Sequence, residues 1–126
     1  MRPETELWWK QANEDLVTAR VNLYARRYYA CVFFAHQAAE KALKALFIET
    51  MRELPTKTHN LIALGTALES PEEIMTSVRD LGPEYITSRY PDAAYGAPAE
   101  LYDEKLASVH LVQAEEIVAW VKQKLK

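Results

Sequence analysis

Residues 28–45 carry the pattern that most restricts the fold. Tyr28, Cys31, Ala35, Ala38, Ala42 and Ala45 recur at spacings of 3, 4, 3, 4 and 3, the repeat of a single helical face. Beyond Tyr28 the stripe is made of small residues, so a neighbouring helix can approach closely. Phe33, Phe34, Leu43, Leu46 and Phe47 flank the stripe. The predicted helix, from about Tyr28 to Thr50, is therefore apolar over most of its circumference. Such a helix sits centrally in a bundle or is covered by a second subunit.

Two further long segments share the helical repeat. Trp9, Ala12, Leu16, Ala19 and Leu23 mark a helix from about Pro3 to Ala25, with Pro3 in the first turn and Arg26-Arg27 complementing the C-terminal dipole. Ala107, Leu111, Ala114, Val118, Val121 and Leu125, widened by Ile117 and Trp120, mark another from about Tyr102 to Lys124. Between them, Leu54-Pro55-Thr56-Lys57 reads as a loop. Thr58 reads as the cap of a short helix carrying Leu61, Leu64 and Leu68. Ser70-Pro71-Glu72-Glu73 reads as a capping box opening a helix lined by Ile74, Val78 and Leu81, which Gly82-Pro83 breaks. Residues 88–101 read as an irregular connection held by aromatic anchors. With no strand pattern and only 3 Gly and 6 Pro in 126 residues, the expected architecture is all-α. It is an up-and-down four-helix bundle with an additional short helix, a single domain over residues 1–126.

Charge and composition exclude several classes. The net charge is −3, and residues 52–126 hold 8 basic against 12 acidic groups, so no electropositive face suited to long duplex DNA is expected. The longest run without Lys, Arg, Asp or Glu is the 12 residues from 28 to 39, against roughly 20 for a membrane span. No membrane association is expected, and the N-terminus has no apolar signal core. One cysteine, Cys31, excludes an internal disulfide and a multi-cysteine zinc site. A cytoplasmic location is expected, with no metal and no cofactor.

Three constellations carry chemistry. Gln37, Glu40, Lys41 and Lys44 lie at offsets of 3, 4 and 7 on one side of the central helix. They form either an exposed strip with a Glu40–Lys44 ion pair, or a partly buried groove in which Glu40 and Lys41 hold a loop or ligand. Arg89, in Tyr85-Ile86-Thr87-Ser88-Arg89-Tyr90-Pro91-Asp92, sits in a stiffened segment suited to a bidentate contact with phosphate or carboxylate. The competing reading makes it a structural tie to Glu40 or Asp92. His59, at a helix start, reads as a cap or packing residue when taken alone. His36 and His110 stand in no motif, and Cys31 reads as a buried, inert thiol.

These residues resemble the HEPN domain family (higher eukaryotes and prokaryotes nucleotide-binding) from about Leu7 to Val121. The matching features are Trp8 with Ala12, Asp15 and Ala19; Tyr28-Tyr29; and Phe34 leading to Gln37-Ala38-Ala39-Glu40-Lys41-Ala42, then Lys44-Ala45. They continue with Thr58-His59-Asn60-Leu61, Tyr85-Ile86 leading to Arg89-Tyr90-Pro91-Asp92, and a last helix ending at Trp120. The resemblance implies a four-helix bundle acting as a homodimer or higher homo-oligomer. It also implies a prokaryotic accessory protein, often paired with a minimal nucleotidyltransferase as a toxin–antitoxin system. Many such domains are metal-independent ribonucleases with an Arg-x4–6-His motif. From Arg89 the histidine would fall at position 94, 95 or 96, where this chain has Ala94, Tyr95 and Gly96.

Three functional readings follow. In the first, a non-enzymatic dimer binds a nucleotide or RNA, or engages a nucleotidyltransferase partner, through Arg89, Tyr90, Asp92, Gln37, Glu40, Lys41 and Lys44. In the second, a ribonuclease toxin pairs Arg89 with His59 or Tyr95. In the third, the dimer is purely structural.

Overall fold

Pro3 opens the first helix at a position where its missing N–H costs nothing, and the left-handed conformation of Arg26 (φ 63°) closes it. The computed structural model describes residues 1–55 and 57–126. Across them run α1 (Pro3–Tyr24), α2 (Tyr28–Met51), α3 (Leu61–Ala67), α4 (Glu72–Leu81), α5 (Glu84–Thr87), α6 (Pro91–Ala94), α7 (Pro98–Leu101) and α8 (Glu104–Lys124). The described residues contain no strand, and the chain is the expected all-helical bundle. Helix α1 stops at Tyr24 rather than Ala25, because the Arg27 N–H turns back to the Asn22 carbonyl at 2.8 Å. The resulting short turn forces α1 and α2 to pack antiparallel.

Helix α2 forms the centre, packed on α1, α8 and α3 and touched by α5 and α7. Cys31, Ala35, Ala38, Ala42 and Ala45 are fully buried, as are Ala12 and Ala19 on α1 and Ala107 and Ala114 on α8. Small side chains thus line the facing surfaces where helices cross, and Leu43, Val78, Ile117 and Val121 fill the space between. The apolar girth of α2 is accounted for by neighbours within this one chain. Gly65 on α3 serves a close approach to α4, since a Cβ there would lie 2.8 Å from Met75 Sδ.

Four local expectations are corrected. Asn60, not Thr58, caps α3: its side chain accepts from the Ala63 N–H at 3.1 Å, while Thr58 Oγ1 accepts from the Asn60 N–H. Ser70 closes no capping box. Its hydroxyl donates to the Gly65 carbonyl at 2.8 Å, and Pro71 becomes the cap residue of α4. The connection over residues 88–101 is not irregular but holds α6 and α7, each opened by a proline at its first turn. Helix α8 begins at Glu104 rather than Tyr102, because the Asp103 carboxylate caps it by accepting from the Leu106 N–H at 2.8 Å. Of the predicted loop at residues 54–57, Thr56 lies outside the described residues.

Candidate functional site

Gly82 and Pro83 end α4 and start the single turn of α5, which sets Tyr85 against α2 and delivers Arg89 just beyond. The turn is pinned from beneath. Buried His110 on α8 places Nε2 3.2 Å from Glu84 Oε1, and the Tyr102 hydroxyl donates to Glu84 Oε2 at 2.5 Å. Buried Ser88 donates to the Glu84 carbonyl at 2.5 Å. Burial opposes a charge on His110, but the bonds to Glu84 and Gln113 and the charges of Glu84 and Asp80 outweigh it. Its pKa is therefore raised, and both ring nitrogens have acceptors.

On this platform the Arg89 side chain is exposed and pairs with no carboxylate among the described residues. Its guanidinium carbon lies 5.2 Å from the Phe33 ring centre, 5.0 Å from that of Tyr85 and 5.0 Å from that of Tyr90. Three aromatic rings lie within cation–π distance of this guanidinium, and its N–H groups bond no carboxylate among the described residues. The tie to Glu40 or Asp92 weighed from sequence is not formed, because Glu40 is engaged elsewhere.

Glu40 is 3% exposed and takes Lys44 Nζ at 3.1 Å. The Glu40–Lys44 pair therefore exists, but inside the protein rather than on an exposed strip. The other Glu40 oxygen lies 2.8 Å from His59 Nδ1. A carboxylate only accepts, so Nδ1 carries the proton and the free chemistry of this ring belongs to Nε2. The half-exposed His59 ring stacks on Tyr85 with centres 3.9 Å apart and planes at 11°. His59 is therefore not the cap of α3. One Tyr85 ring joins it to Arg89, two residues separated by thirty positions in the chain.

His36 completes the buried side. It is fully inaccessible, its Nδ1 is 4.0 Å from the Glu40 carboxylate, and among the described residues neither ring nitrogen makes a well-formed hydrogen bond, the Gly82 backbone being a weak influence nearby. Burial pulls its pKa down to about 4, against the opposing attraction of Glu40. Cys31 is buried and its thiol is pushed up to about 11, by burial first and by the Glu115 charge second, so it is no nucleophile.

The remaining candidates disperse. Lys41 points to α1 and binds the Asp15 carboxylate at 2.5 Å. Gln37 is half-buried on α2. Asp92 is exposed on α6 and makes no ion pair among the described residues. Tyr95 is 96% exposed in the left-handed conformation that ends α6 and joins none of these contacts. Phe33, Glu84, Tyr102 and His110 escaped the sequence reading. Their partners lie on other helices, so no local spacing signals them. Among the described residues no cluster suited to a metal ion is present.

Two clefts border this cluster, one at Tyr85 and one at Arg89. One, of about 470 Å³, runs between His59, Asn60 and Ile62 on one side and Pro83, Tyr85 and Ile86 on the other. The second, of about 620 Å³, lies between Tyr29, Phe33 and Phe34 and the Arg89 and Pro98 segment.

The comparisons with known proteins agree with this architecture. The HEPN domain profile matches residues 5–124. A curated relative from Methanocaldococcus jannaschii, named "Putative toxin MJ1304", is 28% identical across 96% of this chain and 88% of its own length. The crystal structure of TT1696 from Thermus thermophilus superposes with a TM-score of 0.88 at 31% identity, covering 98% of this chain and 99% of that one. ST0689, described as an archaeal HEPN homologue, superposes with a TM-score of 0.85 at 36% identity over the full length of both chains. The helical bundle is thus shared with these proteins along nearly their whole lengths, and the chain belongs to the HEPN domain family.

Proposed function

We propose that this chain is a toxin-type HEPN module that works as a homodimer, binds RNA or nucleotide phosphate through Arg89, and is restrained by a nucleotidyltransferase partner. The observation that carries this reading is Arg89 itself, an exposed guanidinium with no carboxylate partner among the described residues, held on Phe33, Tyr85 and Tyr90. A guanidinium whose donors are not taken by a carboxylate suits a bidentate contact with an anionic ligand. The toxin reading draws its support from the name of the M. jannaschii relative.

A second reading, RNA cleavage, is favoured by one contact. The 2.8 Å bond from His59 Nδ1 to Glu40 orients a proton-transfer group across the Tyr85 ring from Arg89, in a chain that lacks histidine at positions 94–96. Tyr95, fully exposed and outside the cluster, is a weaker substitute.

The test compares Arg89→Ala with the native protein. RNA affinity is expected to fall about 10- to 150-fold, the equivalent of roughly 1.5–3 kcal/mol for a charge-assisted hydrogen bond, at an unchanged melting temperature. Arg89→Lys should recover part of the affinity, because an ammonium cannot reproduce the planar fork. Lowered stability with intact binding would overturn the assignment. Incubation of the native protein with RNA in EDTA separates the two readings: cleavage that His59→Ala abolishes establishes the second.

A further inference from the structure

The groove beside Arg89 does not end there. Tyr29 and Phe33, one turn apart on α2, line the same 620 Å³ cleft as Arg89. Arg27 is not part of the cleft wall but donates to the hydroxyl of Tyr29, which is, at 3.2 Å, and its guanidinium carbon lies 5.5 Å from the Tyr29 ring centre. Arg27 is exposed and, like Arg89, pairs with no carboxylate among the described residues. The contrast with Arg20 is informative, since Glu115 neutralises that side chain at 2.7 Å. Arg27 at the start of α2 and Arg89 beyond α5 thus present two guanidinium groups with no carboxylate partner among the described residues, Arg27 against Tyr29 and Arg89 against Phe33, Tyr85 and Tyr90.

We infer that Arg27 and Tyr29 form a second phosphate-and-base station continuous with the Arg89 site, so that the ligand is a single RNA strand several nucleotides long rather than a mononucleotide. The inference rests on the phosphate-binding reading of Arg89 and extends it. Cations set beside half-buried aromatic rings along one cleft match the alternating phosphates and bases of an unpaired strand. From Arg27 to Phe33 the helix rises about 9 Å, room for two or three nucleotides of a stacked strand at roughly 3.4 Å each. A duplex hides its base faces and has no use for Tyr29 or Phe33. A mononucleotide reaches only one cation.

The experiment uses the full chain, a labelled eight-nucleotide oligouridylate and free uridine monophosphate as probes. Arg27→Ala should weaken oligouridylate binding about tenfold and reduce the slope of log affinity against log salt by about 0.7, the loss of one phosphate contact on a single strand. It should leave uridine monophosphate binding unchanged. Arg27→Lys should restore the salt slope. Tyr29→Ala should weaken the oligonucleotide about fivefold or more, with little change of slope. Among the described residues the Arg27 side chain bonds only Tyr29, so the Arg27 variants should keep the native melting temperature, whereas Tyr29, half-buried against the core, is checked for folding by helical circular dichroism. If Arg27→Ala leaves oligonucleotide affinity and slope intact while Arg89→Ala removes binding, the second station is wrong and the Arg89 site stands. If Arg89→Ala changes neither probe, the phosphate reading falls and the second station falls with it.

Discussion

A fully buried histidine makes the folded protein sensitive to acid at one identifiable residue. His36 is surrounded by Glu40 from its own helix, Tyr85 and Glu84 from α5, the Gly82 backbone and His59 across the Glu40 carboxylate. Burial holds it neutral in the folded state down to about pH 4, whereas in the unfolded chain it takes a proton below about 6.5. The unfolded state therefore binds more protons in that interval, and stability falls as pH drops from about 6.5 towards 4. Denaturant unfolding between about pH 7 and pH 4 should show this loss, and His36→Leu should have a flatter acid limb than the native chain. Parallel profiles for the two proteins would show that His36 does not titrate on unfolding. His110 acts in the opposite direction. Its raised pKa gives stability that is complete below about 6.5 and disappears as pH rises through the folded value. The Glu40–Lys44 spacing was legible in the sequence, as was the promise of the Arg89 segment. Neither the burial of Glu40 nor the gathering of His59 and Arg89 on one Tyr85 ring was legible, because both depend on how α3 and α5 dock on α2.

At the scale of elements, the small-residue stripe on α2 was the strongest signal in the sequence, and it determines the tightest packing in the molecule. Ala38 and Ala42 are fully buried among the helices that cover α2, so there is no solvent into which a larger side chain can turn. Ala42→Leu and Ala38→Phe should each destabilise by roughly 1–3 kcal/mol through overpacking, read as a lower denaturant midpoint. A midpoint unchanged in both variants would mean that the helices separate there at no cost. Periodicity identified all three long helices because burial repeats along each of them. It was silent on α6 and α7, whose four residues apiece are too few to repeat. There the prolines at the first turns were the available cue, and a proline marks a break as readily as a start. The capping errors have the same origin. Thr58, Asn60 and Ser70 all have suitable side chains, and tertiary docking decides which one meets a free N–H.

For the whole molecule the question is what one chain leaves uncovered. The apolar girth of α2 suggests a second subunit when read from sequence, but α1, α8, α3, α5 and α7 account for it, so that argument for a dimer lapses. A different surface replaces it. Val17, Val21 and Tyr24 on α1 are 49%, 60% and 93% exposed, and Val112 on α8 is 50% exposed. Val17 and Tyr24 are helical neighbours of Arg20, Val21 is a neighbour of both Val17 and Tyr24, and Val112 is a neighbour of Glu115, and the Arg20–Glu115 pair at 2.7 Å brings the two helices side by side here. β-Branched apolar residues gathered on adjoining helices, with an ion pair between them, suit a two-fold contact in which each copy presents the same patch. Light scattering at micromolar concentration should give about twice the 14.4 kDa chain mass. The Val21→Glu, Val112→Glu double variant should return a monomer with its helical circular dichroism intact, since both side chains already face solvent and their loss costs the bundle little. A monomeric native protein would overturn the dimer outright. A double variant that remains dimeric would move the interface to another face, leaving the groove along α2 as the next surface to examine, where RNA and a second subunit would then compete for Tyr29 and Phe33.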